Sequence, residues 1–251
     1  MTLGTPLHDL LAALARATAP ILDLIAPERC GACGDEGALF CARCRATLLD
    51  ACAAALQVPP PGVRAAATVG PYANGLDVAV RTLKFHGVPR LARPLGAALA
   101  APIAAVAAPW LAAASADAAP ILVPTPTDPA RRRERGFDHA LLLANAAGEA
   151  TGLRVVELLE RTRAVEPLHG LGRSDRRRAL DQAIAVRTSA NLRAQVDHAA
   201  LIILVDDIWT SGATFEAAAQ ALTVAGWQQV AAVAVARDPL RARPAASTGA
   251  T

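Results

Sequence analysis

Two adjacent carboxylates, Asp206 and Asp207, stand at the end of the apolar run Leu201-Ile202-Ile203-Leu204-Val205. Ile208-Trp209-Thr210-Ser211-Gly212-Ala213-Thr214 follows, and a helical pattern over Ala213–Ala225 is closed by Gly226. A helix N-terminus presents free N–H groups and a positive dipole end, which suit a phosphate. Thr210, Ser211 and Thr214 can add hydroxyl donors, and Gly212 lets the backbone approach closely. Asp206 and Asp207 can accept hydrogen bonds from the 2- and 3-hydroxyls of a ribose. The expected chemistry is binding of a phosphorylated sugar.

An apolar run ending in two aspartates also resembles the magnesium-binding strand of P-loop nucleotidases. That fold needs a G-x4-G-K-[ST] loop. Lys84 is the only lysine and lies in Thr-Leu-Lys-Phe-His, so no such loop exists. A strand followed by a capped helix with no ligand is the plainer alternative. Adjacent carboxylates repel, and a purely structural site gains little from them.

A second constellation is Cys30, Cys33, Cys41 and Cys44. Two Cys-x2-Cys turns supply four soft ligands, the set a tetrahedral zinc ion takes. Gly31, Gly34 and Gly37 suit the tight turns such a site needs. Two disulfides are the alternative, disfavoured where thiols stay reduced. Four protein ligands close the coordination sphere, so the zinc expected is structural. Cys52 is left over and reads as a small buried hydrophobe.

Arginines form two clusters, Arg131, Arg132, Arg133 and Arg135, then Arg173, Arg176, Arg177 and Arg178. The guanidinium fork matches phosphate oxygens. Both clusters can neutralise a pyrophosphate or bind a nucleic-acid backbone; solvated arginines are the alternative. His86, His139 and His169 read as possible site residues against a commoner surface role. His8 and His198 have no motif around them.

These residues need elements to hold them. The chain has 251 residues, is 53% hydrophobic and only 3% aromatic, and carries a formal charge of +3. That composition fits a globular protein with an alanine-rich core and excludes a disordered one. Residues 1–29 read as a helix, 30–57 as the zinc module, 64–240 as the main domain and 241–251 as a flexible tail. Val58-Pro59-Pro60-Pro61-Gly62 reads as a linker.

Strands are expected at Ala66–Tyr72, Ile121–Val123, Val155–Leu159, Leu201–Val205 and Val230–Val235. Helices are expected at Gly75–Phe85 and Phe137–Ala150, with a broken alanine-rich one at Leu95–Ala114. The alternation predicts an α/β fold with a parallel sheet. Ligands then bind beyond the carboxyl ends of its strands. No export signal or membrane span is evident, so a cytoplasmic protein is expected, with a peripheral place at the inner face of the membrane as the alternative.

Asp-Asp-x3-Ser-Gly-Ala-Thr resembles the phosphoribosyl pyrophosphate (PRPP) loop of type I phosphoribosyltransferases. With the four-cysteine head, Leu83-Lys84-Phe85, Val123-Pro124-Thr125-Pro126 and Arg135-Gly136-Phe137, the chain resembles the ComF/GntX family over nearly all of residues 20–238. The resemblance implies a type I phosphoribosyltransferase-like core behind a zinc module. It implies a 5-phosphate held by Thr210, Ser211, Gly212, Ala213 and Thr214, and ribose hydroxyls held by Asp206 and Asp207. It also implies a pyrophosphate, carrying Mg2+, met by the loop of Thr125. Arg135 and Lys84 join the two aspartates as the catalytic candidates. Lys84 either approaches the pyrophosphate or supports the sheet.

The family tends to have Arg-Gly-Phe-Asn-Gln, whereas Asp138 and His139 follow Phe137 here. Val165, Leu168 and Ala179 stand where it tends to have Thr, Gln and Asn. These changes fall on the hood around the second substrate. The expected function is phosphoribosyl transfer in DNA uptake, natural transformation or nucleotide salvage. The alternative is an inactive PRPP sensor or a single-stranded-DNA-binding module that works with competence proteins.

Overall fold

Val, Ile, Leu and Ala runs too short for helices build the centre of the molecule. The computed structural model describes residues 28–50, 54–113, 119–162, 184–188 and 196–238. Strands β2 (Ala65–Pro71), β3 (Ile121–Pro124), β4 (Arg154–Val155), β7 (Ile202–Trp209) and β8 (Val230–Arg237) are mutually parallel where they pair. With β1 (Ala55–Gln57), antiparallel at one edge, they form a six-stranded sheet of order β1-β2-β8-β7-β3-β4. A second sheet pairs β5 (Leu159–Arg161) with β6 (Ile184–Val186).

Strand side chains alternate between faces, and the apolar core divides accordingly. The four-cysteine segment carries a short helix, α1 (Ala42–Arg45), and lies on one side of the sheet. On that face Ala67, Val69, Leu122, Ile203, Val205 and Val233 pack with helices α2 (Leu76–Phe85), α3 (Ala92–Ala97), α4 (Ala100–Leu111) and α6 (His139–Thr151). Cys30, Ala32, Cys44 and Leu49 join this same cluster. Gly31 has no room for a side chain there: a Cβ would meet Leu91 at 2.5 Å. On the other face Ala66, Val123, Ile202, Leu204 and Ala232 pack under α7 (Ala213–Val224). Fully buried Phe215 and Trp227 anchor that side, each worth about 2–3 kcal/mol in apolar burial.

Several elements depart from expectation. Val155–Leu159 is not one strand. The chain leaves the main sheet after Val155 and re-pairs from Leu159 in the second sheet. β7 runs to Trp209, so Asp206 and Asp207 lie within the strand rather than after it. The alanine-rich segment bends by 45° between Ala97 and Ala100. Pro109 sits inside α4 without ending it. Helix α5 (Pro129–Arg135) forms where the sequence pattern suggests only a loop past a strand end. The expected helix at 1–29 lies outside the described residues apart from Glu28 and Arg29. The second arginine cluster, His8, His169, Val165, Leu168, Ala179, Cys52 and the expected tail lie outside them too. Among the described residues no single helix is long and apolar enough to cross a membrane, although the bent pair Pro89–Ala97 and Ala100–Leu111 passes by length and composition.

Candidate functional site

Beyond the carboxyl ends of β3 and β7 opens a cleft of about 450 Å³. Lys84 from α2, Thr125 after β3, Arg135 from α5, Asp206 and Asp207 from β7, and Thr210, Ser211, Ala213 and Thr214 all line it. These are the residues singled out from the sequence, save one. Gly212 is buried just behind the loop, with φ +85°, where a Cβ would stand 3.1 Å from Trp209 Nε1.

Two turns shape the walls. Asp128 caps α5 by accepting from the Ala130 and Arg131 N–H groups at 2.8 and 3.2 Å, and Pro129 opens the helix. That cap aims Arg131 and Arg135 into the cleft, while Arg132 and Arg133 stay exposed outside it. Asp138 caps α6 by accepting from the Leu141 N–H, and Thr127 donates to the same carboxylate oxygen at 2.9 Å. On the other side Ser211 Oγ accepts from the Ala213 N–H at the start of α7.

Successive strand residues point to opposite faces, and the two aspartates have opposite fates. Asp207 is buried at 2% exposure, on the side covered by α2 and α6. Its Oδ2 lies 2.9 Å from Lys84 Nζ and 3.2 Å from His139 Nε2, and its Oδ1 accepts from the Ile208 N–H. Burial alone raises a carboxyl pKa. The His139 ring and the Lys84 ammonium outweigh it here and hold Asp207 well below the usual range. Asp206 is half-buried on the cleft wall and accepts from the Asp207 N–H at 2.8 Å. Burial, then the neighbouring Asp207 charge, pushes Asp206 up to about 7.

The three ligand atoms of His139, Asp206 and Asp207 lie within 4.8 Å of one another, a spacing a cation can bridge. The Lys84 ammonium already supplies a positive charge at Asp207. His139, read from the sequence as a possible site residue against a commoner surface role, lines the cleft and is buried at 8% exposure, and burial lowers its pKa. Its Nδ1 lies 3.3 Å from Arg135 Nη1, and the Arg135 guanidinium lies 4.9 Å from the Phe85 ring centroid. His86 is exposed, and His198 stacks on Trp227.

Sequence reasoning places Arg161 at an informative strand end without giving it a role, and misses Arg237. Arg161 lines the cleft and donates to the Pro126 carbonyl at 2.8 Å. Arg237, at the end of β8, donates to the Trp209 carbonyl at 2.9 Å and to the Thr210 carbonyl, and lies over the Trp209 ring. It ties down the start of the Thr210–Thr214 loop. Its position opposite Trp209 in the β7–β8 ladder was the only signal, and that register emerges only in the fold.

The four cysteines converge as expected, with their sulfurs all within 4.8 Å of one another. Cys33 and Cys41 Sγ are 3.7 Å apart. Four tetrahedral sulfurs at ~2.3 Å from zinc stand about 3.8 Å from each other. The Cys41 N–H donates to Cys30 Sγ and the Cys44 N–H to Cys41 Sγ, both at 3.5 Å, as suits thiolate ligands. Burial and then the surrounding sulfurs push the Cys44 thiol up, so four thiolates packed this closely need a cation. The group can hold a metal such as zinc.

No protein-family model matches the chain, and no curated protein matches it. The cleft must be read from its own chemistry.

Proposed function

We propose that the cleft binds PRPP and that the protein is a phosphoribosyltransferase of the ComF/GntX type with a type I phosphoribosyltransferase-like core. One observation carries the reading. Segments far apart in the chain line one cleft, with the hydroxyl loop and α7 start on one side, arginines on another and Asp206 between the strand ends. A molecule with a phosphate, a diol and a second, heavier anionic group matches that distribution.

In this reading the loop Thr210–Thr214 holds the 5-phosphate through hydroxyls and the first N–H groups of α7. Asp206 accepts from the ribose hydroxyls. Arg131, Arg135 and Arg161 hold the pyrophosphate, whose bound Mg2+ reduces its charge. An acceptor's lone pair forms the new bond to C1 as the bond from C1 to the pyrophosphate oxygen breaks. The pyrophosphate leaves with that electron pair. The chain contributes positioning and electrostatic stabilisation of the departing charge. Lys84 acts through Asp207, whose buried carboxylate it neutralises, rather than on the ligand. Zinc in the Cys30, Cys33, Cys41 and Cys44 group is structural.

Pyrophosphate release from PRPP and Mg2+, measured across a panel of nucleobase and amine acceptors, tests the transfer step. Release that depends on one acceptor class and is lost in Arg135→Ala supports the enzyme. Binding of PRPP without release under any acceptor removes the transferase and leaves a PRPP sensor.

A further inference from the structure

The structure assigns His139 as a positioning residue that holds Arg135 in its anion-binding orientation by presenting a bare Nδ1 to it. The inference rests on the reading of the cleft as a pyrophosphate site and adds the residue that aims the arginine.

The assignment follows from donor arithmetic. Arg135 Nη1 and His139 Nδ1 lie 3.3 Å apart. A guanidinium has donors and no acceptor. Arg135 therefore donates, and Nδ1 is the acceptor, without a proton. The ring proton of a neutral His139 then sits on Nε2. That atom lies 3.2 Å from Asp207 Oδ2, the atom that also meets Lys84. The nearby Asp207 charge favours a proton on Nε2 by proximity, although no well-aligned hydrogen bond reaches Oδ2, and a proton on Nε2 leaves Nδ1 free for Arg135. A ring that accepts from Arg135 at Nδ1 is not an imidazolium, whose two nitrogens both donate.

The same arginine lies over the ring of Phe85, 4.9 Å from its centroid. Phe85 is 64% exposed and immediately follows Lys84. Arg135 is thus fixed from two sides, by an acceptor beneath and an aromatic face beside it. One support reaches back through His139 and Asp207, which also line the cleft, and the other comes from Phe85 on α2. A long side chain held this way loses less rotamer freedom when it grips an anion.

Two measurements on the full chain test this. Long-range 1H–15N spectra of ring-labelled histidine, with His139 assigned by its loss in His139→Gln, read the tautomer directly. Protonated Nε2 and bare Nδ1 are expected; a proton on Nδ1 at neutral pH overturns the assignment whether or not any ligand binds. Titrations with magnesium pyrophosphate and, separately, ribose 5-phosphate read the consequence. His139→Leu should weaken pyrophosphate about tenfold, the scale of one charge-assisted hydrogen bond. His139→Gln, whose amide both donates and accepts, should restore most of it. Ribose 5-phosphate should bind all three alike, which also controls for folding.

Phe85→Leu, at an exposed position, should weaken pyrophosphate about threefold. Wild-type and His139→Leu proteins that bind pyrophosphate equally overturn the inference and leave the cleft reading standing. A wild-type protein that binds neither probe overturns the cleft reading itself, and the role of Arg135 with it.

Discussion

Lys84 Nζ sits 2.9 Å from Asp207 Oδ2, and the carboxylate it meets is buried at 2% exposure. The chain's only lysine is thus spent on the second of two adjacent aspartates. This pairing leaves Asp206, which shares the cleft lining with Asp207, without the lysine.

Removing Lys84 leaves a buried charge with only a neutral histidine beside it. Lys84→Met should destabilise the fold by about 3 kcal/mol. Asp207→Asn in the same chain should recover much of that loss, because the charge to be compensated is gone. Urea unfolding of the single and double variants checks both, and independent, additive effects contradict the pairing.

How much of the fold and the site is legible in the sequence differs by residue. The strand–loop–helix from Leu201 to Ala225 is, because a continuous apolar run and a glycine-bounded helix are local signals. The four-cysteine group is, because two turns of fixed spacing carry it. Helix α5 is not: its arginines give no apolar period, and only Asp128 followed by Pro129, a cap and a first-turn proline, announces it. His139 is named by the sequence as a possible site residue but cannot be told from a surface histidine there, because its partners come from α5 and β7 and meet it only in the fold. The different roles of Asp206 and Asp207 are hidden for the same reason. β7 continues through Ile208 and Trp209, so its pleat buries Asp207 and leaves Asp206 half-exposed, although both carboxylates reach the one cleft.

Asp206 gives a pH dependence with a definite sign. Its carboxyl keeps its proton up to about 7 in the fold and loses it near 3.8 when free. Between those values the folded state binds more protons, so this group's contribution to stability falls as pH rises. Asp206→Asn removes that contribution. Its stability relative to the native protein should rise by about 2–4 kcal/mol from about pH 4 to about pH 8, at up to ~1.4 kcal/mol for each pH unit crossed. Unfolding midpoints measured at both ends check this; parallel curves contradict it.

The metal prediction is separable from the cleft. One zinc per chain should co-purify and register in elemental analysis. Cys33→Ser or a strong chelator should lower Tm and loosen the packing of Gly31 on Leu91, because Cys30 and Cys44 belong to the same core as α2. Metal-free protein with an unchanged Tm contradicts a structural site.

Gly212 marks where the loop must turn with positive φ against Trp209 and Pro60. Gly212→Ala should cost about 1–2 kcal/mol and weaken ribose 5-phosphate, leaving magnesium pyrophosphate unaffected. Equal weakening of both ligands places the 5-phosphate elsewhere.

Calorimetric titration of PRPP with Mg2+ into native protein, Asp206→Ala and Arg135→Ala tests the central claim most directly. One equivalent should bind the native protein, with each variant at least about tenfold weaker. Arg135→Ala should also lose the preference for PRPP over ribose 5-phosphate. Folded native protein that takes up no PRPP, or that binds it unchanged in both variants, contradicts the account.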